Sequence, residues 1–109
     1  MRLTFLGKET QGGGSPTLFA TDRETYVVQG WKVPEQPESV EVPERLLTYL
    51  LPGTTFGVRL RNTGQGTLIL SGAPVTDADA LSQMDTPGHE TCVEVAQAKE
   101  TAASGAAAG

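Results

Sequence analysis

Cys92 is the only cysteine among 109 residues, so no disulfide can form within the chain. A lone thiol fits a reducing compartment. His89 is likewise the only histidine. A closed zinc site takes about four thiolate or imidazole ligands, which one Cys and one His cannot supply. No apolar run approaches the roughly 20 residues of a membrane span. The opening MRLTFLGKET lacks the roughly 7–15 apolar residues of a secretory core, and the cytoplasm is the expected compartment. Positive charge is scarce: 8 Lys and Arg stand against 13 Asp and Glu, for a net charge of -5. Such a surface repels phosphate backbones and anionic lipid, which excludes broad nucleic-acid or membrane binding. The same field suits a basic protein partner.

Nucleotide and hydrolase motifs are missing too. Arg2 stands where a phosphate loop ending in Gly7-Lys8 needs its first glycine, and Glu9 where it needs Ser or Thr. GQGTLI lacks the third glycine of a dinucleotide loop. No G-x-S-x-G elbow occurs. No cofactor is expected.

What the chain has instead is turns. Its 13 Gly and 7 Pro, with 38% hydrophobic residues, favour short strands over a helical bundle. RLTFL alternates and reads as a first strand. TLFA, the turn TDRE and TYVVQGWKV read as a hairpin. Tyr26, Val28 and Gly30 lie on one face of its long strand; Val27, Gln29, Trp31 and Val33 lie on the other. PEQPE reads as a loop and SVEV as a strand. PERLLTYLL reads as a helix with Pro43 at its first position and Leu46, Leu47, Leu50 and Leu51 on one face. TTFGVRLR, NTGQG and TLILSG read as a second hairpin. Thr76 reads as the cap of a short helix whose inward residues are Leu81 and Met84. ETCVEV reads as a last strand.

The expected fold is mainly β. Six to eight short antiparallel strands form a small sandwich or half-open barrel, with one or two short helices over an end. One domain spans residues 1–96, and an Ala/Gly-rich tail over 97–109 is expected to be disordered.

TYVVQGWKV and TLILSGAPV have nearly the same shape. Thr67 lies 42 residues after Thr25, and the same offset relates Gly30 to Gly72 and Val33 to Val75. SVEV recurs as CVEV, with Val93 lying 53 residues after Val40. Small β proteins reuse such patterns, and duplication is the other reading. Two copies would pack on each other with pseudo-two-fold symmetry.

LGK, SPTL, ATDR and VQGWKV, within residues 3–33, and VTDADALSQMDTPGHETCVEV, residues 75–95, resemble a family of small actinobacterial, Streptomyces-type proteins. In that family the two stretches adjoin. Here the segment from Pro34 to Pro74 separates them, as tandem duplication or insertion would. Family members tend to sit beside helix-turn-helix regulators. The resemblance therefore implies a regulatory accessory role, with a basic transcriptional regulator as partner. It transfers no functional residue.

His89 and Cys92 form H-x-x-C, with Asp85, Glu90 and Glu94 nearby, and this is the one spacing that fits a minor enzyme with a Cys–His pair. Arg59 and Arg61 share one strand face and are candidates for an anion-binding strip, against the alternative of a solvated edge. Trp31 and Tyr26 are candidates for the centre of a protein interface. Glu35, Glu38, Glu41 and Glu44 would form its acidic rim. Hairpins apolar on both faces leave more hydrophobic surface than a short helix covers, and a homodimer resolves that. The expectation is a non-enzymatic protein–protein interaction module. Its rivals are a small-ligand-binding β-barrel and a minor enzyme using His89 and Cys92.

Overall fold

The computed structural model describes residues 1–9, 16–84 and 88–99. Asp85 and the tail from residue 100 onward lie outside them. The long hairpin forms as its alternation predicts: β2 (Thr17–Thr21) pairs antiparallel with β3 (Thr25–Val33), Thr17 opposite Gln29 and Ala20 opposite Tyr26. β1 (Leu3–Lys8) lies outside β2, with a bulge between Phe5 and Gly7. β4 (Gln36–Pro43) begins inside the expected PEQPE loop, because Gln36 pairs back onto Val33.

The leucine-rich segment is a 3-10 helix, Glu44–Tyr49, not an α-helix. Three residues per turn puts Leu46 and Tyr49 on one side. Leu46 is fully buried, while Leu47, Tyr49, Leu50 and Leu51 pack partly buried around the same core.

The strand expected over Thr54–Arg61 is broken in two. β5 (Thr54–Phe56) pairs with the end of β9 (Glu90–Lys99), and the Gly57 N–H donates to Ala96 O at 2.8 Å. The chain then leaves the sheet, and β6 (Arg61–Asn62) pairs with β7 (Thr67–Ser71). The second hairpin is therefore two residues deep. β8 (Ala73–Pro74) follows Gly72 and pairs with β9. β9 runs on to Lys99, so residues 97–99, expected to begin the tail, belong to the sheet.

The short helix α1 (Ala78–Ser82) is capped by Asp77, not Thr76: Asp77 Oδ1 accepts from the Ala80 N–H at 3.0 Å. Of its expected inward residues, Leu81 is 40% exposed and Ala80 takes the buried place; Met84 is partly buried.

The result is mainly antiparallel β with short helices, and the sheet stays open rather than closing into a barrel. Two clusters pack against its two faces. Tyr26, Val28, Val40, Leu70 and Val93 sit in the larger one. Phe19, Val27 and Cys92 form the smaller, with Met1, Leu3, Val75 and Met84 against it. Fully burying such a side chain stabilises by about 1.5–3 kcal/mol.

The registers recur along the chain. Trp31 opposite Glu41 and Lys32 opposite Val40 correspond, at offsets of 42 and 53, to Ala73 opposite Glu94 and Pro74 opposite Val93. Val40 opposite Leu70 and Val42 opposite Leu68 correspond to Val93 opposite Val28 and Val95 opposite Tyr26. Arg61 opposite Ile69 corresponds to Phe19 opposite Val27. Even the turns match: Thr21 Oγ1 lies 2.6 Å from Thr25 Oγ1, and Thr63 Oγ1 2.6 Å from Thr67 Oγ1.

Gly30 and Gly72 occupy corresponding points, and both are pressed onto a neighbouring backbone. A Cβ on Gly30 would lie 2.7 Å from Glu41 O, and one on Gly72 2.5 Å from Glu94 O. Neither carbonyl can move without breaking its ladder. Gly30→Ala and Gly72→Ala are each expected to lower unfolding stability by about 2 kcal/mol or more. Gly88→Ala, where nothing lies within 4 Å, should stay within about 0.5 kcal/mol. Urea denaturation midpoints of the three variants check this.

Candidate functional site

Tyr26 is fully buried and cannot reach a partner. It sits on the core face of β3. Its hydroxyl donates to Thr54 Oγ1 and accepts from the Leu51 N–H at 2.8 Å, tying the loop after the 3-10 helix to the sheet. Trp31 is half-buried and, five residues on, faces the opposite way. The expected interface centre of Tyr26 and Trp31 therefore does not form.

The acidic rim divides as well. Glu41 Oε2 accepts from Thr67 Oγ1 at 2.6 Å, and Glu44 Oε2 accepts from Asn62 Nδ2 at 3.1 Å. Glu35 and Glu38 remain exposed on the β3–β4 hairpin.

Arg59 and Arg61 come together. Both are exposed, and both line a cleft of about 300 Å³ floored by Val58, Ile69 and Leu70. Gln36 and Ser71 complete its wall. A second cleft, about 370 Å³, is lined by Lys32, Glu35, Gln36, Ser39 and Thr91 among others. Gln36 belongs to both clefts. Ser39 of one and Ser71 of the other share a hydrogen bond at 2.6 Å across the β4–β7 pair. The two clefts are distinct and meet at Gln36. Among the described residues, Lys32, Arg59 and Arg61 enter no ion pair. Arg59 and Arg61 thus line one cleft, while Lys32 and Glu35 line the other.

VRLR points to the two arginines together, and they do line one cleft, although Arg59 lies outside β6 and shares no strand face with Arg61. Gln36 and the Ser39–Ser71 pair were missed, because only long-range pairing brings them nearby.

The two members of the H-x-x-C pair sit in different surroundings. Cys92 is buried in the smaller cluster, and burial pushes its thiol up. An activated cysteine needs the opposite shift. The His89 side chain is half-exposed, with Nε2 3.8 Å from Glu90 Oε2. Glu90 is itself buried and accepts from Gln29 Nε2 at 2.7 Å, a polar contact beneath the sheet's second face that the sequence did not reveal. Among the described residues, no group of three His, Cys, Asp or Glu gathers as a metal site. No helix among them is long and apolar enough to cross a membrane.

Comparison with protein-family models, with curated proteins and with solved structures finds no match.

Two measurements follow from these placements. Cys92 should react with a disulfide reagent only as fast as the native state opens; rapid labelling of folded protein would contradict its burial. Tyr26→Phe leaves the Leu51 N–H without its acceptor and should cost about 1–3 kcal/mol, read as a shift of the urea midpoint.

Proposed function

We propose that the protein is a non-enzymatic binding module that holds an acidic segment of a partner protein in the groove lined by Arg59 and Arg61. The observation that carries this is two arginines, in no ion pair among the described residues, lining one cleft with Val58, Ile69 and Leu70, in a chain of net charge -5. Guanidinium and carboxylate match in geometry and form charge-assisted hydrogen bonds, about twice as strong as neutral ones. Val58, Ile69 and Leu70 add a surface that rewards aliphatic neighbours of those carboxylates. A polyanion such as nucleic acid would meet the acidic remainder of the molecule beyond the groove, so a short segment with few charges fits better.

The sign of the partner segment thus reverses the expectation drawn from net charge. Glu35 and Glu38 alone are a thin rim for a basic partner, since Glu41 and Glu44 already hold side chains of this chain. The accessory role beside a helix-turn-helix regulator, implied by the family resemblance alone, is compatible with this mode, because the contact is made with protein and not DNA.

The probe is the acetylated, amidated and fluorescein-labelled peptide TEVEVET, followed by fluorescence anisotropy. It should bind wild-type protein, and more weakly as salt rises, because exposed charges are screened. Arg59→Glu with Arg61→Glu should weaken binding at least tenfold, since each lost charged hydrogen bond is worth about 1.5–3 kcal/mol. Lys8→Glu with Lys99→Glu, equal in charge change but outside the groove, should bind as wild type. No binding, or equal weakening by both variants, would sink the reading.

A further inference from the structure

We infer that the exposed edge of β6 is a strand-addition site, where the acidic segment lies as an extra antiparallel or parallel strand in the place that β1 takes on β2. This rests on the groove reading above and says how the segment is held.

The argument runs through the recurring registers. At an offset of 42, the cleft residues Val58, Arg59, Arg61, Ile69 and Ser71 correspond to Pro16, Thr17, Phe19, Val27 and Gln29. Gln36 corresponds at 53 to His89. The two sets differ sharply in exposure. Pro16 and Val27 are fully buried, Gln29 is 2% exposed, Thr17 5% and Phe19 7%. Arg59, Arg61 and Ser71 are exposed, and Val58 and Ile69 half-buried. One scaffold position is covered and its counterpart is open.

Part of the cover is visible. β1 pairs with β2 through Leu3 opposite Thr21, Thr4 opposite Ala20 and Phe5 opposite Phe19. The Phe5 ring stands edge-on to Phe19, centroids 6.2 Å apart. β2 therefore has a strand on each edge, β1 and β3. β6 is the counterpart of β2 but, among the described residues, pairs with β7 alone and ends the strand order. Its other edge is where a counterpart of β1 would lie. An open strand edge offers unpaired N–H and C=O groups, which extended peptides complete.

The side chains set the occupant. Arg61 stands where Phe19 stands, and Arg59 lies two residues before it, ahead of β6. A strand added here meets a guanidinium at the point where β1 presents Phe5. Carboxylates at alternate positions of the incoming strand would face Arg61 and Arg59 together, since residues i and i+2 share a face. β1 of a second copy, LTFLGK, carries no carboxylate, so this chain's own edge strand is not the complement.

The test uses the full chain and TEVEVET in three forms: unmodified, N-methylated at its odd amides, and N-methylated at its even amides. In an added strand only one alternate set of amides faces β6. One methylated form should therefore bind at least tenfold more weakly, and the other about as well as the parent. On binding, hydrogen exchange should show new protection at the Asn62 amide, which alternates with the Thr63 N–H already bonded to Thr67 O. If both methylated forms bind like the parent, the segment is held by charge alone: strand addition is overturned, while the groove reading stands. If the unmodified peptide does not bind, both fall. A protein that sediments as a dimer, with the Asn62 amide protected before any peptide is added, would put a second copy on the edge and overturn the inference too.

Discussion

The contact of two glycines with neighbouring backbones is the constraint on which the rest depends. Because Gly30 has no side chain, β3 can lie against the Glu41 carbonyl and serve two partners along one edge: β2 before the glycine and β4 after it. Gly72 does the same between β7, which pairs with β4, and β8, which pairs with β9. β4 and β9 are each flanked on both sides as a consequence. Val40 and Val93, at corresponding places in those two strands, are both fully buried. Neither hairpin holds a complete set of strand partners without the other, so packing and register are settled together.

The outward face of the same two strands explains where the acidic charge goes. Glu41 and Glu94 alternate with the buried valines and so point away from the core. Each accepts from a threonine hydroxyl of the other half, Thr67 Oγ1 at 2.6 Å and Thr25 Oγ1 at 2.5 Å. Glu94 also takes Arg23 at 2.7 Å. These carboxylates stabilise the turns at Thr21–Thr25 and Thr63–Thr67. Part of the formal acidic charge is therefore spent on contacts within the chain.

Local pattern was enough for the elements that local pattern decides. The alternation of TYVVQGWKV separates Tyr26 and Val28 from Val27 as the two clusters do. The turn at TDRE, the strand SVEV and a Cys92 that faces inward were all legible. What failed was decided by distant partners. TTFGVRLR alternates well throughout, but its first three residues are claimed by β9 and its last by β7. AQAK has no strand signature of its own and becomes strand because Thr54–Phe56 lies beside it. PEQPE has loop composition, and Gln36 enters β4 through its pairing with Val33. Tyr26 was mistaken for an interface residue because the donor and acceptor that satisfy its hydroxyl lie 25 and 28 residues away. The arginine strip was legible, but its apolar floor was not, since Ile69 and Leu70 join it only through the β6–β7 pairing.

Matching registers along the chain carry different side chains. Phe19 and Arg61 occupy matching positions with opposite solvation demands. A phenyl ring in that place gains from being covered, and β1 brings Phe5 against it. A guanidinium there loses hydration if it is covered by anything other than an acceptor. The exposure of one site and the burial of the other therefore follow from a single exchange of side chain. An apolar cover can come from the chain itself, because any nearby hydrophobic strand serves. Covering Arg59 and Arg61 demands carboxylates in register, and no described strand supplies them.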